Sequence, residues 1–138
     1  MARETSAGSA TVREADSGDR LGVRRVLDAA MLDVRDDLGE RIDAEDVLVA
    51  DEGESDSILG ALVLVPRNRG AHIDAVAVRR ARRAQGVGSA LVRTAAERRA
   101  PLTAEFDPGV RPFYESLGFE IAPVEDDGNR LRGRYDGE

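Results

Sequence analysis

The stretch Arg79-Arg80-Ala81-Arg82-Arg83-Ala84-Gln85-Gly86-Val87-Gly88 gathers the residues of this chain best suited to holding an anion. Four arginines crowd into five positions of a protein whose formal net charge is −7, and a glycine pair follows at once. An apolar run, His72 to Val78, leads in, and a helix-like segment, Ser89 to Arg99, leads out. The order is strand, basic glycine turn, helix. N–H groups in the first turn of a helix have no intrahelical partner, and the helix dipole makes that end partly positive. Gly86 and Gly88 lack Cβ atoms, so a ligand can come close to the backbone. A phosphate or pyrophosphate suits such a site.

Three nucleotide-binding patterns compete for the loop. A Walker A loop needs Gly-x-x-x-x-Gly-Lys-Ser/Thr, and the chain has no lysine. A dinucleotide fingerprint needs Gly-x-Gly-x-x-Gly or Ala, but Leu91 fills the third position. No early strand–turn–helix unit precedes it either, which disfavours an NAD-dependent oxidoreductase. The third pattern, Arg/Gln-x-x-Gly-x-Gly/Ala, is met by Arg83-x-x-Gly86-x-Gly88. From Val76 to Leu91 the segment resembles the coenzyme A pyrophosphate motif of the GNAT superfamily of acyl-CoA-dependent N-acyltransferases. It departs at Arg80, where many members carry proline, and at Ala84, where glycine is common. Neither change removes a backbone donor. The plain alternative is a basic turn capping a surface helix.

A second motif weighs against that alternative. Arg111-Pro112-Phe113-Tyr114-Glu115-Ser116-Leu117-Gly118-Phe119 resembles the Tyr-Glu-x-x-Gly-Phe signature that family members carry after their fifth strand. Gly118 fits a helix stop with φ > 0. The resemblance implies that the Tyr114 hydroxyl lies near the acyl-CoA sulfur and can protonate the departing thiolate. Alone, Tyr114 reads as an amphipathic core residue. Asp107 stands where many members have an asparagine that helps hold the pantetheine arm, and Val110 where alanine is frequent.

The elements that would position these motifs read as follows. Thr11 to Ala15 is a short first strand. Asp16 to Asp19 supplies an N-cap and an acidic first turn. Val23, Val26, Leu27, Ala30, Met31 and Val34 recur at helical spacing. Asp36 to Asp46 is acidic and irregular. Val47 to Asp51 and Ile58 to Val65 form a hairpin around Glu52 to Asp56. Pro66 to Gly70 is a turn. Ala71 to Val78 is the fourth strand, Gly88 to Arg99 a helix, Leu102 to Phe106 the fifth strand and Pro108 to Leu117 a short helix. Phe119 to Val124 and Arg130 to Tyr135 flank the turn Asp126 to Asn129. This order is similar to the GNAT fold, an α/β (α+β) architecture. The resemblance implies a mixed sheet of about six to seven strands flanked by helices and splayed between the fourth and fifth strands. Residues 1–10 read as a mobile polar tail and 11–138 as one domain.

The implied reaction is direct transfer of an acetyl group from acetyl-CoA to an amine. The pantetheine arm would pair with the backbone of Val76, Ala77 and Val78. Its pyrophosphate would rest on Arg83, Ala84, Gln85, Gly86, Val87, Gly88 and Ser89, with Asp107 and Tyr114 also at the cofactor. An N–H in the strand would polarise the thioester carbonyl, and a general base would take the amine's proton. Strand alternation puts His72, Asp74, Val76 and Val78 on one face. His72 stands where some family members carry the base, and an unperturbed imidazole titrates near neutrality. Its plain alternative is an exposed strand-edge histidine. Glu105 is a second candidate and Asp74 a third. The loops 36–46 and 124–130 are acidic, and an anionic rim would favour a cationic amine, a small molecule or a protein N-terminus. In an acidic chain such loops say little. A module of the same fold that senses acyl-CoA without catalysis is the alternative, and retention of Tyr114 argues against it. The resemblance also admits a homodimer.

Composition sets the remaining bounds. Absence of cysteine excludes disulfides, thiolate metal sites and a cysteine nucleophile, and one histidine excludes a histidine-rich metal site. No metal is expected. No apolar run approaches the ~20 residues needed to span a bilayer. Met1 to Ala10 lacks the apolar region of a secretory signal, so a cytoplasmic location is expected. Acidic residues number 27, every basic residue other than His72 is arginine, and aromatics are 4%. This resembles proteins of salt-loving cells, in which carboxylates hold water and cations. A GC-rich genome would account for the missing lysine but not for the acidity. Net negative charge disfavours non-specific nucleic-acid binding.

Overall fold

In a computed structural model of the protein, the described residues are 6–7, 10–52, 58–83, 85–124 and 127–137. One sheet runs through the molecule. Its strands are β1 (Ser6–Ala7), β2 (Ala10–Glu14), β3 (Val47–Asp51), β4 (Ile58–Pro66), β5 (Ala71–Val78), β6 (Leu102–Phe106), β7 (Glu120–Val124) and β8 (Asp127–Tyr135). They lie in the order β1-β2-β3-β4-β5-β6-β8-β7. Neighbours are antiparallel except β5 and β6, which are parallel. The fourth and fifth strands expected from sequence are β5 and β6. Helices α1 (Arg20–Ala29) and α2 (Leu38–Asp43) cover one face, and α3 (Val87–Arg99) and α4 (Arg111–Ser116) the other.

Two cores follow from strand alternation. Val47, Val49, Ala61 and Val63 are buried beneath α1 and α2 with Val23, Leu27, Leu38 and Ile42. Leu48, Leu62, Leu64, Ala104 and Phe106 are buried beneath α3 and α4 with Val87, Leu91 and Tyr114. Near-continuous apolar runs in β3 and β4 reflect strands covered on both faces.

The structure corrects the sequence reading in three places. Ser6–Ala7 pairs with Thr11 and Ala10, so part of the expected tail is sheet. Residues 1–5 and 8–9 lie outside the described residues, as does most of the turn 52–56. The acidic segment 36–46 contains helix α2, because Leu38 and Ile42 stand one turn apart and are both buried. The first helix ends at Ala29, earlier than its apolar spacing suggests, and Met31 takes φ 61° with 92% of its surface exposed.

A fourth correction bears on the site. Val63 pairs with Ala75 and Leu64 with Ile73, so Asp74 is an extra residue, a bulge in β5. The bulge shifts the alternation by one. Ile73, Val76 and Val78 pack in the α3 core, and Ala75 and Ala77 in the α1 core. His72 and Asp74 therefore do not share a face with Val76 and Val78.

Candidate acyl-CoA site

β5 and β6 pair at only three positions, Ala71–Leu102, His72–Thr103 and Ile73–Ala104. Beyond Ile73 the strands part, and the β6-facing backbone edge from Asp74 to Val78 has no strand partner among the described residues. That is the expected splay. An open parallel edge can take an extended ligand as a strand-like guest. One acceptor in it is already used: Arg83 donates from Nε to the Val78 carbonyl at 3.2 Å.

The loop after β5 makes a short 3-10 turn, Arg80–Arg82, before α3 begins. Gly86 is the residue before the helix, with φ 88° and ψ 2°. Only glycine adopts this left-handed geometry without strain, and it aims the first N–H groups of α3 out of the turn. A cleft of about 160 Å³ lies there, lined by Val78, Arg82, Arg83, Gly86, Gly88 and Phe113 among others. Gln85 and Gly86 fall in this turn and Val87, Gly88 and Ser89 in the first turn of α3, whereas Ala84 lies outside the described residues. Val87 is buried, so only its backbone can serve a ligand. A Cβ on Gly88 would stand 3.3 Å from the Phe113 ring and 3.5 Å from Val78. Its glycine keeps α3 close to α4 and β5 as well as leaving the backbone open. Arg82 is committed to Glu52 and to Gln85 Oε1.

Tyr114 lies on the α3 face, 4% exposed. Its ring stacks on Phe106 at 4.3 Å and meets Phe113 and Phe119 edge-on at 5.0 Å each. Phe106 ends β6, past the point where the strands part, so Tyr114 stands beside the splay. Its hydroxyl makes no hydrogen bond among the described residues, and burial pushes its pKa up to about 12. Gly118 takes φ 91° and stops α4 as expected. Asp107 is exposed and pairs with Arg130 at 3.1 Å.

The base candidates lie on the opposite face. His72 Nδ1 is 2.7 Å from Thr103 Oγ1. Burial holds the imidazole pKa below its usual value; Arg67 and Arg132 act in the same sense, and Glu105 and Asp74 oppose them. Glu105 is bound by Arg132 Nη2 at 2.9 Å, which holds its carboxyl below the usual carboxylate range. Asp74 is 3.5 Å from Arg35, and Asp37 is 2.7 Å from the same arginine. Within the expected anionic rim Asp37 and Asp46 pair with arginines, and residues 125 and 126 lie outside the described residues. Sequence spacing missed Thr103, Phe113 and the Asp74 bulge. A polar residue inside an apolar strand was the one available signal for the bulge.

The splay opens after Ile73, the left-handed Gly86 precedes α3, and Tyr114 stacks on Phe106 at the end of β6. A sequence profile described as an acetyltransferase (GNAT) domain matches residues 43–121, more than half of the chain. The chain belongs to the GNAT acetyltransferase family. Solved structures agree on the fold. A GNAT-family acetyltransferase from Bacillus cereus ATCC 10987 superposes with a TM-score of 0.76 at 18% identity, covering 94% of this chain and 98% of its own. The ribosomal-protein-S18-alanine N-acetyltransferase from Escherichia coli gives 0.68 at 17% identity, with 92% and 93% covered. N-acetylglutamate synthase from Neisseria gonorrhoeae, complexed with coenzyme A and L-arginine, gives 0.72 at 17% identity over 92% of this chain and 33% of that one. The search of curated proteins finds no match. Among the described residues no group of three or more His, Cys, Asp or Glu side chains is placed to hold a metal ion. Among the described residues no helix is long and apolar enough to cross a membrane.

Proposed function

We propose that this GNAT protein transfers an acetyl group from acetyl-CoA to a primary amine, on a small molecule or a protein N-terminus, by direct attack. The observation that carries this reading is the three-position limit of β5–β6 pairing, which leaves the backbone from Asp74 to Val78 open next to the Gly86 turn. The pantetheine arm pairs along that edge, and a strand N–H polarises the thioester carbonyl. The amine nitrogen attacks the carbonyl carbon, the C–S bond breaks, and the amine's proton leaves through a base. The neighbours support the acceptor class: one acts on a protein alanine, and another is a synthase of an N-acetylated amino acid. Screening amines with acetyl-CoA, with mass identification of the product, tests the reading. A purified chain that binds acetyl-CoA yet transfers nothing, and does not hydrolyse the thioester, would make it a sensor.

The Asp74 bulge divides the labour between faces. Tyr114 and the pyrophosphate loop serve the thioester from the α3 side, and His72 meets the amine from the α1 side, directly or through water. In the tautomer that this role requires, Nδ1 donates to Thr103 Oγ1 and Nε2 is left as the proton acceptor. His72 precedes Glu105 for the role, because Arg132 stabilises the Glu105 carboxylate in its charged form. A base must be unprotonated to act, so activity falls as pH drops through its pKa. With the His72 pKa lowered, that fall lies below the ordinary imidazole range. His72→Ala flattens this acidic limb of kcat/KM for the amine and leaves CoA affinity unchanged. An unaltered limb passes the role to Glu105 or water.

Composition adds a proposal of its own: a protein of salt-rich cytoplasm, with a homodimer as the assembly to check by light scattering. An excess of 27 carboxylates over 20 arginines repels itself when unscreened. The melting temperature rises from low to multimolar potassium chloride, while CoA binding at the arginine loop weakens. Equal melting temperatures at both salts would remove this reading.

A further inference from the structure

A groove of about 230 Å³ runs between α3, the link from α4 to β7 and the end of β8. It shares no lining residue with the cleft at the Gly86 turn. Its apolar side is Val92 and Ala96 from α3 with Leu117, Phe119 and Tyr135. The Phe119 and Tyr135 rings stack at 5.5 Å with an interplanar angle of 28°, and Tyr135 is half-buried. Arg93 and Glu97 also line the groove, one helical turn apart and both exposed. Arg111 and Glu115 have the same spacing on α4 and close an ion pair at 2.8 Å. Arg93 and Glu97 do not, and among the described residues neither has an ion-pair partner. An apolar groove with an aromatic wall thus presents an uncommitted cation and an uncommitted anion side by side.

We propose that this groove is a binding site for a free aromatic amino acid. Small-molecule sites are apolar hollows in which a few placed polar groups fix orientation. An apolar cavity of ~150 Å³ holds a benzene molecule, so a hollow of about 230 Å³ has room for a ring and a short arm. The ring is taken by Leu117 and the aromatic wall, where ring contacts add to the gain from burial. The Arg93 guanidinium matches a carboxylate with two parallel N–H donors, and Glu97 takes an ammonium group. Side chains on successive helical turns have Cβ atoms ~5–6 Å apart, which suits two charged heads carried by one carbon. An amino acid acetylated on its nitrogen has no ammonium for Glu97. The groove therefore distinguishes a free amine from its acetylated form.

Calorimetry on the full chain tests the site, with L-phenylalanine, 3-phenylpropionate, phenethylamine and N-acetyl-L-phenylalanine as probes. Tyrosine fluorescence gives a second readout, because the chain has two tyrosines and no tryptophan. A ligand of this size should bind with Kd about 1 mM. Losing either charged head should weaken it about threefold, the scale of an exposed ion pair. Arg93→Gln should erase the advantage of L-phenylalanine over phenethylamine. Glu97→Gln should erase its advantage over 3-phenylpropionate and over N-acetyl-L-phenylalanine. Ala96→Leu puts bulk into the groove at little cost in helix propensity and should abolish binding, with melting curves to check each variant. The site is overturned by an absence of saturable L-phenylalanine binding, by equal affinity for all four probes, or by binding that ignores Ala96→Leu. If that last binding is lost in His72→Ala, the amino acid sits at the acceptor position, and the acetyltransferase reading stands without the groove. A chain that binds no CoA but keeps Ala96-sensitive L-phenylalanine binding overturns the acetyltransferase reading and supports the groove.

Discussion

Replacing Tyr114 with phenylalanine is expected to lower kcat by ~10²-fold while leaving CoA affinity and folding nearly unchanged. General acid–base residues span about 10²- to 10⁴-fold, and the site's own chemistry selects the lower end. Burial raises the Tyr114 pKa to about 12. An ordinary thiol lies near ~8.5, so complete proton transfer to the leaving thiolate is uphill by a factor of about 10³ to 10⁴. In the proposed role the hydroxyl instead donates a hydrogen bond to sulfur as negative charge develops. Its high pKa keeps it protonated throughout neutral pH, and the lack of a partner among the described residues leaves the donor available to the substrate. Loss of activity at alkaline pH should reflect loss of that proton, so the alkaline limb should vanish in the variant. Packing survives because the ring contacts with Phe106, Phe113 and Phe119 do not involve the oxygen. Single-turnover kinetics, which isolate the chemical step, give the check. A wild-type kcat across the pH range would reduce Tyr114 to a packing residue.

The same residue shows what was legible in the sequence. Its place was readable because the Gly118 stop and the spacing behind the glycine loop are local. Ala71 to Val78 and Leu102 to Phe106 were readable for a similar reason: turn residues bound short apolar runs. The faces were not. A bulge is defined by pairing with a neighbouring strand, and the β4 register that makes Asp74 an extra residue has no signature in β5 alone. Alternation counted through Asp74 therefore put His72 on the wrong side relative to Val76. Helix α2 escaped because two buried residues, Leu38 and Ile42, are too few for a periodic pattern in a segment otherwise acidic. Contacts between distant residues, Thr103 with His72 and Phe119 with Tyr135, come from the fold. Spacing reports only one element at a time.

Gly88→Val is expected to lower CoA affinity by about 10²-fold or more, and Gly86→Val by a similar factor for a different reason. Gly88 has ordinary backbone geometry, and a Cβ there meets the Phe113 ring at 3.3 Å and Val78 at 3.5 Å. A side-chain ring can yield by tenths of an ångström to a Cβ, and melting curves check that the valine variant folds. The added methyls then fill a cleft of only about 160 Å³ and hold the pyrophosphate off the helix N–H groups. Losing even one or two charge-assisted contacts at ~1.5–3 kcal/mol each gives the stated factor. At Gly86 the obstacle is the backbone. With φ 88°, a residue bearing a Cβ is strained by roughly 1–2 kcal/mol. A branched one abandons the left-handed turn, so the first N–H groups of α3 lose their aim. Gly86→Ala and Gly88→Ala separate the two causes. Alanine at 88 should be mild, since Phe113 need move only slightly; alanine at 86 should still be harmful, since strain begins with the first Cβ. Calorimetric titration with CoA, paired with melting curves, reads both. Unchanged affinity in folded Gly86→Val and Gly88→Val proteins would place the pyrophosphate somewhere other than this turn.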